Sequence, residues 1–317
     1  MRNTPLVVLA LFYLFSINGC KGMAASAEEY YSIGMAYFEL GKYEEAEKWL
    51  TRAATAQKTM TASQYNLGRL AFERQRYQEA AERFEDILKK DPNNILALKA
   101  AAYTRIRTGD LNIAEKHYTK LLALVPENAD DGYNHALVLY AMERYAEAEQ
   151  VLSKYPLPML ENSDMQLLFA RTQNAQNKVE AINSYSAWLN SNSDSKVRYE
   201  YARALEHHEL YARALEEYRK ALSDASEAEN DLRNDIRFSI ARLLLTADSE
   251  NHEGITELQN AINEGYKNIT AVEELLENKN INETNKDSIR NIIYNMRLAQ
   301  EPKAEDGDLK TNPESGS

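Results

Sequence analysis

The side chains best placed to do chemistry in this chain are aromatic rings and arginines four residues apart. Tyr65 and Arg69, Tyr199 and Arg203, and Phe238 and Arg242 share this spacing. On a helix it sets ring and guanidinium on one face, where they can stack. Aromatics and arginine dominate binding hot spots, so the chemistry is recognition. The rival reading packs the rings against neighbouring helices and leaves the arginines in water, and with 20 tyrosines some coincidence is expected. The sequence has no G-x-S-x-G, no H-E-x-x-H and no phosphate loop. Gly41-Lys42 lacks the upstream glycine such a loop needs. His207 and His208 are neighbours, about 100° apart on a helix and poorly placed to chelate. His117, His135 and His252 are isolated. Cys20 is the single cysteine, which permits neither an intramolecular disulfide nor a cysteine-based metal site. No enzyme activity, metal or cofactor is expected.

The elements that must position these side chains come from a period. Blocks 27–60, 61–94, 95–128 and 129–162 repeat every 34 residues. Position 8 is Gly34, Gly68, Ala102 and Ala136. Position 20 is Ala46, Ala80, Ala114 and Ala148, and position 24 is Leu50, Phe84, Tyr118 and Leu152. Tyr30, Ile33, Gly34 and Tyr37 form one helical stripe. Gly41-Lys42 breaks it, and Tyr43, Ala46, Leu50 and Ala53 form a second. Each block is therefore a helix A, a turn and a helix B. It cannot bury its apolar face alone and must stack.

These blocks resemble tetratricopeptide repeats, which set Trp at 4, Leu at 7, Gly at 8, Tyr at 11, Ala at 20, an aromatic at 24 and Pro at 32. Tyr30, Ile33, Gly34, Tyr37 and Ala46 carry the resemblance in the first block, and Leu67, Gly68, Ala80, Phe84 and Pro92 in the second. It implies an all-α, right-handed superhelical solenoid of about seven repeats with a C-terminal capping helix. Four in-frame repeats cover 27–162 and three more cover 163–268. In the fifth, Ala181 and Tyr185 fit positions 20 and 24 if the preceding turn is one residue short. Pro156 and Pro158 mark a looser joint. Capping helices are expected over 269–300, at about 270–278 and 285–299, and a disordered polar tail over 301–317.

The resemblance also implies that A helices line a concave groove through positions 2, 5, 9, 12 and 13. The groove residues so assigned are Tyr31, Met35, Phe38, Tyr65, Arg69, Phe72, Tyr103, Tyr133, Tyr140, Arg171, Tyr199, Arg203, Phe238 and Arg242. The front half reads as more apolar and the back half as richer in arginine. Such repeats can clamp a terminal carboxylate with Lys at 5 and Asn at 9. Here Lys99 stands at 5 but Tyr103 at 9, so that clamp is absent. The glutamates read mostly as solvated outer faces.

Residues 1–19 read as a secretory signal, with Arg2, an apolar run from Leu6 to Ile17 and Gly19. Ile17-Asn18-Gly19-Cys20 resembles a bacterial lipobox, which implies cleavage before Cys20 and acylation of its thiol and new amino terminus. The alternative is a plain signal peptide or a short uncleaved anchor. Lys21 rather than Asp follows, which leans toward the outer membrane. Residues 20–26 would be a short lipidated tether.

Acidic residues number 49 against 37 basic, a net charge of −12, which argues against nucleic acid as a partner. The expected partners are a protein or peptide segment and, through lipid on Cys20, a membrane. The leading expectation is a scaffold in assembly or maintenance of an envelope complex. An adhesin and an accessory protein for small-ligand binding or transport are the alternatives.

Overall fold

The computed structural model describes residues 25–155, 163–247 and 252–300. The signal 1–19, Cys20, Pro156 and Pro158, and the tail 301–317 lie outside them.

Helix ends follow the 34-residue spacing. The A helices of the first six blocks end before a residue of positive φ: Gly41, Gln75, Gly109, Glu143, Asn177 and Glu209. The first five of these are 34 apart. A left-handed residue lets the next amide reach back five positions and close the helix end. Lys42 N donates to Tyr37 O at 2.9 Å, Arg76 N to Ala71 O at 2.8 Å, and Leu210 N to Leu205 O at 2.9 Å. Glycine supplies this conformation without steric cost only at 41 and 109.

Sixteen α-helices and no strand occur among the described residues. The front pairs are α1 (Ala27–Glu39) with α2 (Tyr43–Ala56), α3 (Thr61–Glu73) with α4 (Tyr77–Lys90), and α5 (Ile95–Thr108) with α6 (Leu111–Leu124). Then come α7 (Ala129–Ala141) and α8 (Tyr145–Leu152). The back pairs are α9 (Ser163–Ala175) with α10 (Glu180–Leu189), α11 (Ser195–His207) with α12 (Tyr211–Asp224), and α13 (Asn230–Ala247) with α14 (His252–Asn263). Helix α15 (Ile269–Glu274) runs into a 3-10 turn (Leu275–Glu277), and α16 (Glu283–Gln300) ends the fold. Ser26 starts α1 with a reciprocal cap: its Oγ accepts from Glu29 N at 3.2 Å, and its own amide donates to Glu29 Oε2 at 2.7 Å.

The small residues of the period make the hairpins close. A Cβ on Gly34 would sit 2.8 Å from Leu50 Cγ, and one on Gly68 2.6 Å from Phe84 Cε1. Position 8 of helix A thus receives position 24 of helix B. Ala46, Ala80, Ala114, Ala148, Ala181 and Ala214 are all fully buried. In the fifth pair one residue is missing between the left-handed Asn177 and Ala181, compared with Gly41 and Ala46. The first turn of α10 absorbs the loss: Ala181 N bonds to Lys178 O, three residues back, where Ala46 N bonds to Lys42 O, four back. The missing residue tightens a turn and leaves Ala181 in the core.

The chain divides into two compact units between Arg144 and Tyr145, in the turn between α7 and α8. The front unit is built on Ala46, Leu50, Leu67 and Leu70 and then on Phe84, Leu98, Tyr118 and Leu121. In the back unit, Tyr185, Tyr201, Tyr218 and Leu205 fill one core, and Leu245, Leu258, Val272 and Ile289 another. Helix α16 caps the latter: Ile289, Ile292, Ile293 and Met296 face inward, while Arg290, Asn291, Asn295 and Arg297 face out.

The glutamates correct one expectation. Those at position 21 reach position 16 of the next repeat instead of solvent alone. Glu47 binds Arg76 at 3.1 Å, Glu115 approaches Arg144 at 3.6 Å, and Glu149 binds Lys178 at 2.5 Å. Where position 16 is Asp110, position 21 before it is Ala81. The ion pairs tie successive hairpins, and the acid is absent where its base is absent.

Candidate functional site

In the front unit, positions 5, 9 and 12 of the A helices build a strip of rings. Phe38 sits 5.8 Å from Tyr43, and the Arg69 guanidinium lies over the Phe38 ring at 4.9 Å. Phe72 touches Tyr77 at 5.1 Å and Tyr103 at 5.5 Å, and Arg107 lies over Tyr77 at 5.2 Å. Arg107 Nη2 also donates to Tyr77 Oη at 3.2 Å. Helix α3 joins the two clusters, since Arg69 and Phe72 are three apart on it. A short polar relay holds the strip's edge: Asn66 Nδ2 donates to Tyr31 Oη at 3.0 Å, and Arg69 Nη1 donates to Asn66 Oδ1 at 3.1 Å. Tyr103 is 47% exposed, and Arg69 and Arg107 are exposed. Met35 and Tyr31 are half-buried against the first core. Tyr65 leans on Phe84 at 5.5 Å. Tyr133 and Tyr140 are half-buried on α7. The rings of Phe72 and Tyr103 touch each other, so this is an open ridge rather than a deep apolar pocket.

The back unit uses the same residue types differently. Arg171 Nε and Nη2 grip Glu200 at 2.8 and 2.9 Å. Arg242 Nη1 and Nη2 grip Glu206 at 2.5 and 2.8 Å. Tyr218 Oη donates to the same Glu206 at 2.7 Å, and burial with this carboxylate pushes its ionisation up. Arg203 is exposed, 5.9 Å over Tyr199, whose hydroxyl meets Ser239 Oγ at 3.2 Å. Phe238 is only 9% exposed and stacks on Tyr266 at 4.6 Å. Burial raises the Tyr266 phenol to about 12. A cleft of about 530 Å³ opens beside Phe238, Leu243 and Leu275, with Arg242, Glu274 and Asn280 on its walls.

Of the three ring–arginine pairs read from spacing, one stacks as read: Tyr199 with Arg203. Arg69 turns away from Tyr65 to Phe38 of the preceding repeat, because α1 and α3 are neighbours in the stack. Arg242 leaves Phe238 for Glu206, a stronger charge-assisted partner. The back half is rich in arginine as expected, yet two of its three groove arginines are neutralised within the protein.

Tyr77, Arg107, Glu200 and Glu206 belong to these clusters and were not singled out from sequence, and Tyr43 stood out only as part of a helix B stripe. Arg107 stands at position 13, an inward position, and reading that position down the stack would have found it. Tyr43 and Tyr77 both stand at 17, five residues after the ring at 12. Among the described residues no group of His, Cys, Asp and Glu is arranged to hold a metal. His207 and His208 meet edge to face at 5.2 Å, and His117 Nε2 lies 2.9 Å from Glu85. No described helix is long and apolar enough to cross a membrane.

Comparison with known proteins agrees with this architecture. The tetratricopeptide repeat family matches residues 31–95 and 99–159. A curated relative, an uncharacterized lipoprotein of Treponema pallidum (strain Nichols), is 27% identical over 161 residues, covering 50% of this chain and 82% of its own length. Among solved structures, a tetratricopeptide repeat protein from Parabacteroides merdae ATCC 43184 aligns with a TM-score of 0.55 at 20% identity, over 79% of this chain and 97% of its own. The C-terminal part of a repeat-containing protein from Cytophaga hutchinsonii aligns at 0.59 and 17% identity, over 76% and 96%. YrrB, described as a tetratricopeptide repeat protein with an unusual peptide-binding site, aligns at 0.52 and 19% identity, over 58% and 95%.

Proposed function

We propose that this tetratricopeptide-repeat chain is a lipid-anchored scaffold of a bacterial envelope, holding a segment of a protein partner against its front A helices. The observation that carries the reading is the ridge of Phe38, Phe72 and Tyr103 with Arg69 and Arg107 upon it. An exposed ring beside half-buried ones, with guanidiniums over them on helices, is what a binding hot spot needs, and their neighbours fix them before a partner arrives. YrrB shares the fold and has a peptide-binding site.

Anchoring is supported by the lipobox-like Ile17-Asn18-Gly19-Cys20 and by the lipoprotein relative. Two or more acyl chains on one cysteine give stable attachment, each buried CH₂ contributing about 0.8 kcal/mol. Lys21 supports the outer membrane as the destination. The anchor would confine the search for a partner to that surface, and assembly or maintenance of an envelope complex is the role that follows.

A photo-crosslinking residue at Tyr103, in cells, tests the binding role. A discrete adduct that disappears with Phe72→Ala is expected; no adduct from a membrane-attached protein would sink it. Cys20→Ala should move the protein out of the membrane fraction, and unchanged fractionation would remove the anchor. Protection from protease in intact cells is also expected. Digestion without lysis would point to the cell surface and the adhesin instead.

A further inference from the structure

Most arginines of the described residues meet either a ring or a carboxylate; Arg213 and Arg233 instead donate to the Tyr201 hydroxyl and to backbone carbonyls. Four lie over rings: Arg52 on Trp49, Arg69 on Phe38, Arg107 on Tyr77 and Arg203 on Tyr199. Among the described residues, none of these four makes an ion pair with a carboxylate, whereas Arg74, Arg76, Arg105, Arg171, Arg198 and Arg242 all do. In a chain with 49 acidic side chains, guanidiniums without carboxylate partners are conspicuous. Arg69 gives Nη1 to Asn66 and Arg107 gives Nη2 to Tyr77, and stacking on a ring leaves their other in-plane N–H groups to point outward. Those groups match a carboxylate.

Arg69 and Arg107 share the face that carries Phe72 and Tyr103. They lie on α3 and α5, one repeat and one helical turn apart. Neighbouring helices pack about 9 Å apart and a turn rises about 5 Å. Their stems therefore start on the order of 11 Å apart, a span that about three to four residues of extended chain cover. Tyr103, one turn before Arg107 on α5 and at the repeat position that Arg69 holds on α3, is 47% exposed and offers most of its ring as apolar surface. Local charge does not oppose an acidic ligand here. Residues 25–144 carry 18 acidic and 16 basic side chains, while residues 145–300 carry 26 and 17. The front unit is close to neutral, and the acid excess lies mainly in the back.

We infer that the front ridge binds an extended acidic peptide segment, with two carboxylates three or four residues apart, one on Arg69 and one on Arg107, and an apolar side chain between them on Tyr103. This rests on the binding role proposed above for the same face and names the chemistry it selects. It differs from a terminal-carboxylate clamp, because both anions are side chains and the segment has no need to end there.

The test uses the peptide Ser-Glu-Thr-Leu-Thr-Glu-Ser, blocked at both ends, and its twin with Gln for each Glu, against the full chain by calorimetry. The Glu peptide should bind at least tenfold more tightly, and the ratio should shrink as salt rises. In the double variant Arg69→Gln, Arg107→Gln the ratio should fall to about one, with the melting temperature unchanged. Equal binding of the two peptides, a ratio that survives in the double variant, or no binding of either would overturn the inference. Equal binding that Tyr103→Ala weakens would leave the binding role standing and remove only the carboxylate selection. Loss of both the peptide binding and the Tyr103 crosslink in cells would remove the binding role as well.

Discussion

The front and back units both set rings and arginines at inward positions of their A helices, and apart from Arg203, which rests on Tyr199 as the front arginines rest on their rings, they use them differently. In the front unit Arg69 and Arg107 rest on Phe38 and Tyr77 and face outward. In the back unit Arg171 and Arg242 are gripped by Glu200 and Glu206, and the aromatic at position 5, Phe238, is sunk against Tyr266. What separates the proposed recognition surface from an internal tie is thus one carboxylate on a neighbouring A helix. A helical repeat supplies the position, and the local balance of acid and base decides what the position does.

The largest effects should be those that ignore this difference, because both units share one frame. Ala80→Leu in the front and Ala214→Leu in the back each insert a large side chain at a fully buried point. Each should cost about 3 kcal/mol, the upper part of the overpacking range, measured by urea unfolding. A tolerated leucine at either place would show that the two hairpins are not packed alike. Next in size, Glu206→Ala removes the acceptor of a buried phenol and the partner of Arg242 together. A loss of about 2 kcal/mol is expected. Arg69→Ala in the front should stay within about 0.5 kcal/mol while weakening partner capture. The contrast between the units collapses if the front substitution proves the more destabilising.

Helix starts, helix ends and the core were legible because they depend on short, regular spacings. Position 20 alanines and the large residues at position 24 came from counting. The left-handed residue at position 15 repeats so strictly that its conformation holds even where Gln75, Glu143 and Glu209 replace glycine. The partners of the groove arginines were not legible. Arg171 meets a residue 29 positions on, and Arg242 one 36 positions back. Those distances depend on turn lengths that drift after the fourth block. A signal was nonetheless present in the repeat spacing, where Glu47 and Arg76, Glu115 and Arg144, and Glu149 and Lys178 are each 29 apart. Reading glutamates as outward decoration passed over it.

A smaller effect tests one of those ties and carries a pH signature. The Glu149 carboxylate on α8 accepts from Gln176 Nε2 at 2.8 Å, Gln173 Nε2 at 3.3 Å and Lys178 Nζ at 2.5 Å. Burial works to raise its pKa, but the hydrogen bonds from Lys178, Gln176 and Gln173 outweigh it and hold the group below the usual carboxylate value. A depressed folded pKa gives stability that is whole above the unfolded value of about 4.3 and disappears as pH falls through the folded one. Glu149→Gln should therefore cost about 1 kcal/mol at pH 7 and progressively less as the pH falls below the unfolded value. A cost that is flat with pH would mean that the tie is steric and not ionic.

The smallest effect returns to what the units have in common. Gln75 in the front and Glu209 in the back hold φ near 60° without the freedom of glycine. A side chain in the left-handed region costs roughly 1 kcal/mol, offset in part by the greater unfolded-state entropy of glycine. Gln75→Gly and Glu209→Gly should then each stabilise by about 0.5 kcal/mol. Asn177→Gly should gain less, since asparagine tolerates this conformation. Thermal unfolding at matched pH would read all three. If 75 and 209 respond alike while Glu206→Ala costs far more than Arg69→Ala, the backbone frame is common property and the carboxylates alone set the two units apart. If Glu209→Gly destabilises, the back unit holds its turn by a contact of the glutamate side chain that the front unit lacks, and the difference between the units reaches the turns as well.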